Sequence, residues 1–174
     1  MKNIRFAVTG LSIVLASLLA GCASTPSNTV AARAEIGPAS GSQVKGSASF
    51  TRIAGGLHLA ATVSGLTPGE HGFHVHEVGD CSAPDATSAK GHYNPGGAHH
   101  GGQGGEHHAG DMPNLVADAS GNASFSADLL GLDVGAGNDV ANRALVIHAD
   151  PDDYKSQPAG NSGKRVACGV IKAG

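Results

Sequence analysis

The chain has 174 residues, of which 40% are apolar, 14% charged and only 3% aromatic, with 27 glycines and no tryptophan. That is the length of one domain around one core, with a composition suited to short strands and turns and poor in long-helix signals. The formal charge of −3 and the lack of any basic cluster exclude an electrostatic nucleic-acid surface.

The N-terminus carries a targeting pattern. Lys2 and Arg5 precede an apolar run over residues 6–20, followed by Leu19-Ala20-Gly21-Cys22. This reads as a secretory signal over residues 1–21, too short for a spanning helix. The run L-A-G-C resembles the lipobox of bacterial lipoproteins, in which the cysteine is lipidated and becomes the first residue; an ordinary cleaved signal with a chance cysteine is the alternative. By the same resemblance, Ala23 in place of Asp after the cysteine implies the outer membrane. Residues 22–29, ending in STPSNT, read as a flexible tether, and residues 30–174 as the folded domain in the periplasm or envelope. Removing Lys2 and Arg5 with the signal leaves the formal charge near −5, from −3 for the whole chain. Any contact with membrane then runs through the lipid at Cys22. Oligomeric state has no signature.

From residue 30 onward the pattern is strand-like. Residues 30–36 (VAARAEI) form a weak candidate broken by Gly37-Pro38. Residues 43–53 (QVKGSASFTRI) alternate as a half-buried strand, and Ala54-Gly55-Gly56 reads as a hairpin turn. Leu57, Leu59, Ala61 and Val63 then share one strand face. A Pro68-Gly69 turn leads into residues 71–78 (HGFHVHEV). A connection rich in Gly and Pro follows to about residue 113. A loop of that length inside a compact domain needs something to hold it. Strand-like alternation resumes at 114–117 and 123–127 across a turn; residues 129–142 read as loop. Residues 144–148 (ALVIH) form a short buried strand, 149–164 a second long loop, and 166–171 (VACGVI) the last strand. About eight short strands and no convincing helix predict an antiparallel sandwich or barrel.

Three cysteines are present, Cys22, Cys81 and Cys168. If Cys22 carries lipid, an exported chain is left with Cys81 and Cys168, and a disulfide between them is the default in an oxidising compartment. The alternative, two zinc-bound thiolates, lacks the usual C-x-x-C spacing.

Ten histidines are present, and His74, His76, His92, His99, His100, His107 and His108 all fall between residues 74 and 108. Imidazole is the commonest protein ligand for copper and zinc. His74 and His76 lie two apart on a predicted strand, so both imidazoles share a face. His92 follows in G-H-Y-N-P, then His100 and His108, each preceded by a second histidine, and Asp111 in H-x-G-D. Three imidazoles and a carboxylate match a closed tetrahedral zinc site. His148, at the end of a buried strand, would complete a histidine-only set suited to Cu(II) if that strand lies beside His74 and His76.

The motifs H-G-F-H-V-H-E-x-G-D-C, G-H-Y-N-P, H-x-G-D, L-V-I-H-A-D and G-K-R-V-A-C-G-V-I stand in the order found in Cu/Zn superoxide dismutases, and the chain resembles that family from about Val44 to Ile171. The resemblance implies an eight-stranded antiparallel Greek-key fold with two long functional loops. It implies one copper per chain on His74, His76, His92 and His148, and one zinc on His92, His100, His108 and Asp111, with His92 bridging the metals. His100 and His108, not His99 and His107, hold the family positions, which leaves His99 and His107 as exposed neighbours or weak extra sites. Asp152 falls where the family has a carboxylate that accepts hydrogen bonds from one histidine of each metal. Arg165 resembles the guanidinium at the mouth of the copper site, and Arg165 with His92 are the implied catalytic residues. Lys90, Lys155 and Lys164 are candidates for steering an anion by loop position; His71 reads as structural and His58 as solvent-facing. The implied reaction is disproportionation of superoxide to O2 and hydrogen peroxide. A copper- and zinc-binding envelope lipoprotein that buffers or carries metal without turnover is the alternative. A zinc hydrolase would need an open zinc position.

Overall fold

The computed structural model describes residues 29–174. The expected signal, Cys22 and all of the tether except Thr29 lie outside the described residues. Among the described residues there are twelve strands: β1 (Val30–Pro38), β2 (Lys45–Ile53), β3 (Gly56–Ser64), β4 (Gly69–His71), β5 (Phe73–His76), β6 (Leu115–Ala117), β7 (Ala123–Leu130), β8 (Leu132–Asp133), β9 (Asn138–Asp139), β10 (Ala144–His148), β11 (Arg165–Val170) and β12 (Lys172–Ala173). The only helical element among the described residues is a 3-10 turn, Thr87–Ala89.

The main sheet runs β5-β10-β11-β1-β2-β3-β7, with β12 also on β1. Its pairs are antiparallel. β4 leads directly into β5 and pairs with β6, and β6 turns into β7, so the two ends of the sheet are brought round toward each other. This curled all-β architecture is the one expected from the sequence.

The strands that position the site differ in burial from the rest. On β3 the predicted face is the buried one, Leu57, Leu59, Ala61 and Val63, as period-two alternation requires. β5 and β10 are buried on both faces. Phe73, Val75, Leu145 and Ile147 point into the main core, where Phe73 meets Phe125 edge-on at 5.1 Å. On the opposite face Ala144 and Val146 pack with Ala86, Ala89 and Cys168. The long loop after β5 is therefore packed onto the outside of the sheet.

Cys81 and Cys168 are joined by a disulfide across a sequence separation of 87 residues, and this ties the loop to β11. The zinc-thiolate alternative for these cysteines is thereby removed. Three local expectations differ from the structure. Residues 71–78 do not form one strand: the run divides at Gly72, whose N–H donates to Asp150 and whose carbonyl accepts from His148. Residues 129–142 contain the end of β7 and the parallel pair β8–β9, which is two residues long and so leaves no periodicity to read. β1 also continues through Gly37 and Pro38, which face Cys168 and Ala167; the proline sits at the strand's last position, where its missing N–H is tolerated.

Candidate metal centre

The site is built where two loop segments lie along β5. Tyr93 N–H donates to Val75 O, and Gly110 O accepts from Val75 N–H, at 2.8 and 2.9 Å. This pairing sets His92 beside His76 and Asp111 beside His74 in strand-like bridges. Gly110 is required there, because a Cβ would stand 2.2 Å from Val75 O. On the other side of β5, β10 places Val146 opposite His74 and Ala144 opposite His76, and its last residue is His148.

The result is two groups of donor atoms, each group within 4.8 Å. One is His74, His76, His92 and His148; the other is His92, His100, His108 and Asp111. His92 belongs to both, and all seven side chains are buried. His99 is exposed, and His107 donates Nδ1–H to the Gly105 carbonyl; neither joins a group.

Second partners fix which nitrogen of each ring is free. His76 donates Nδ1–H to the Lys90 carbonyl at 2.9 Å, and His148 donates Nδ1–H to the Gly163 carbonyl at 3.3 Å. Their Nε2 atoms are left facing each other at 3.4 Å. Asp152 accepts from His74 Nε2 at 2.8 Å with one oxygen and from His100 Nε2 at 2.9 Å with the other. One carboxylate thus orients a ring in each group. Among the described residues, four buried side-chain nitrogens have no hydrogen-bond partner: His74 Nδ1, His92 Nε2, His100 Nδ1 and His108 Nδ1. Each such orphan costs about 1–3 kcal/mol unless something binds it.

In the second group the Asp111 carboxylate stands close to all three imidazoles. Zinc bonds of about 2.0–2.2 Å put donor atoms roughly 3.3 Å apart. Asp111 Oδ1 lies 2.7 Å from His92 Nδ1 and 3.4 Å from His108 Nδ1, and Oδ2 lies 3.0 Å from His100 Nδ1. His100 Nδ1 and His108 Nδ1 lie near the carboxylate without a hydrogen bond to it. Asp111 Oδ2 also accepts the Gly101 and His108 amides. The donors present therefore fit a closed zinc position beside an all-imidazole copper position.

The electrostatics favour ligand forms. Burial pushes His74 down to about 4 against the opposing hydrogen bond to Asp152, and burial with the nearby His74 pushes His148 down to about 3. His76 is held well below the ordinary imidazole range by burial and by His92, His148 and Arg165. Burial would raise the Asp111 carboxyl, but hydrogen bonds from His92 and the Gly101 and His108 amides outweigh it and hold it ionised. Neutral imidazoles and an ionised carboxylate are the metal-binding forms.

Arg165 donates to the carbonyls of Ala86 and Lys90 at 2.7 and 2.6 Å. The Lys90 carbonyl also accepts from His76, so guanidinium and imidazole share one anchor. Lys90 and Lys164 are exposed next to it in space and in sequence respectively, while Lys155 lines a cleft beside His100. His71 is buried, with Nδ1–H on the His148 carbonyl at 2.8 Å and Nε2 2.9 Å from the Thr67 carbonyl. His58 is half-exposed on Asp128 at 2.6 Å. Two contributors, Asn114 and Gln157, carry no sequence signal; each is a lone amide in a loop, and only long-range contact reveals it.

The copper/zinc superoxide dismutase family model matches residues 44–171. The chain belongs to that family. It is 43% identical over 169 residues to superoxide dismutase [Cu-Zn] 2 of Aquifex aeolicus, covering 93% of this chain and 98% of the relative. It is 37% identical to superoxide dismutase [Cu-Zn] of Deinococcus radiodurans, covering 92% and 93%. The crystal structure of a double mutant of a SOD-like protein from Bacillus subtilis superposes with a TM-score of 0.72 at 34% identity, covering 80% of this chain and 96% of that one. Both donor groups, with the His92 they share, lie within the matched residues.

Proposed function

We propose that the chain disproportionates superoxide, using one copper held by His74, His76, His92 and His148 and one zinc held by His92, His100, His108 and Asp111. Two superoxide ions and two protons give one O2 and one hydrogen peroxide. The observation that carries this reading is the shared imidazole: a single buried ring, His92, contributes to both donor groups. Copper supplies the one-electron change when bound, and zinc, which has no redox chemistry, supplies fixed charge.

The chain's own residues do the rest. His92 Nε2, buried and unpartnered, is the atom that can hold a proton between the two half-reactions, while Nδ1 stays on the Asp111 side. Asp152 keeps His74 and His100 in the tautomers that offer Nδ1 inward. Arg165, always charged and held by two carbonyls, draws and orients the anion. With a formal charge near −5 on the exported domain, attraction has to be local, with Lys90 and Lys164 beside Arg165 contributing. Residues 1–21 act as a lipoprotein signal, Cys22 carries the lipid and residues 22–29 tether the domain of residues 30–174. The enzyme works in the cell envelope on the outer membrane. The L-A-G-C run supports this placement.

The ligand choice within each histidine doublet is testable by zinc stoichiometry and dismutation rate together. His100→Ala and His108→Ala lose zinc, whereas His99→Ala and His107→Ala keep both zinc and turnover. Zinc loss in His99→Ala with retention in His100→Ala would reverse the assignment.

A further inference from the structure

The loop of residues 149–164 reaches the zinc group at a second point besides Asp152. The His100 N–H donates to Gln157 Oε1 at 2.9 Å, and Gln157 Nε2 donates to the His100 carbonyl at 2.8 Å. One side-chain amide therefore takes both main-chain polar groups of His100, as a neighbouring strand would. Asn114 does the same for Asp152, accepting from its N–H at 2.9 Å and donating to its carbonyl at 3.1 Å. A chain of contacts runs Asn114, Asp152, His100, Gln157, gripping His100 at its ring and at its backbone from one loop.

The grip matters because of what surrounds His100. It stands in GGAHHGGQGG, residues 96–105, and glycine-rich backbone loses the most conformational freedom when ordered. A metal leaves by successive release of its ligands, and the ligand on the least constrained backbone swings out most readily. Gln157 removes that freedom at His100.

We propose that Gln157 is a positioning residue for zinc: by fixing the His100 backbone it sets how slowly zinc leaves the protein. The proposal rests on the reading of His100 as a zinc ligand. It needs no contact between Gln157 and the metal, and it predicts that the effect falls on zinc more than on copper, whose donor set lacks His100.

The test uses the copper- and zinc-loaded protein, with Gln157→Ala, Gln157→Glu and His100→Ala beside the wild type. Zinc release into excess chromogenic chelator is timed, and the visible bands of cobalt(II) placed in the zinc position report ligand geometry. Gln157→Ala is expected to release zinc about tenfold faster, at the lower end of what losing a partner of a ligand costs, with shifted cobalt bands and an unchanged melting temperature of the metal-free protein. Gln157→Glu, which still accepts from the His100 N–H but cannot donate to its carbonyl, falls between. A wild-type release rate and unshifted bands in Gln157→Ala would overturn the proposal, as would faster release accompanied by lower metal-free stability, which is general loosening. Retention of zinc by His100→Ala would instead overturn the ligand reading beneath it.

Discussion

Arg165→Glu is expected to lower superoxide turnover by about 100-fold or more with copper and zinc still bound, since charge in a cleft changes the capture rate of a small ion by 10- to 1000-fold. The guanidinium is anchored to the Ala86 and Lys90 carbonyls and belongs to neither donor group. Reversing its charge turns an attractive mouth into a repulsive one on a chain already net acidic. Arg165→Lys keeps the charge but loses the planar fork, so its loss is smaller, and raising the salt concentration narrows the gap between all three forms. Metal content measured beside turnover decides the matter. Loss of copper from Arg165→Glu would contradict a capture role, because the Lys90 carbonyl also orients His76 and the damage would then be to the ligand.

The second large effect is on stability. Cys81→Ser opens a cross-link spanning 87 residues. The chain-entropy model assigns a loop of that size about 4–5 kcal/mol, an upper figure since native strain and residual unfolded structure reduce it. The expected result is a melting temperature lowered by roughly 10 °C on the scale of a few degrees per kcal/mol. Turnover falls as well, because the freed segment includes Ala86 and Lys90, whose carbonyls hold Arg165. Thermal unfolding and dismutation of the same preparation check both parts. An unchanged melting temperature would contradict the role given to the cross-link.

How much of this was legible in the sequence follows from the range of the interactions. Leu57, Leu59, Ala61 and Val63 announced β3 because burial on one face of a strand imposes a period of two. β10 could be read as a buried strand, but not why both its faces are covered; the second cover comes from the loop around Ala86 and Ala89, far away in sequence. The histidine groups were legible through spacing at His74 and His76, and through the ordered motifs for the others. What spacing could not supply was the bridging of His74 and His100 by Asp152, known beforehand only through resemblance. The amide grips of Asn114 and Gln157 left no trace, since a loop asparagine or glutamine looks the same whether it faces solvent or a ligand's backbone. The β8–β9 pair was missed because two residues cannot display a period.

The most direct test of the central claim is metal content together with superoxide turnover on the purified domain lacking residues through Cys22. One copper and one zinc per chain, with fast turnover, is the predicted result. Both metals bound with no turnover would contradict it, and would make the protein a metal carrier built on a superoxide dismutase fold.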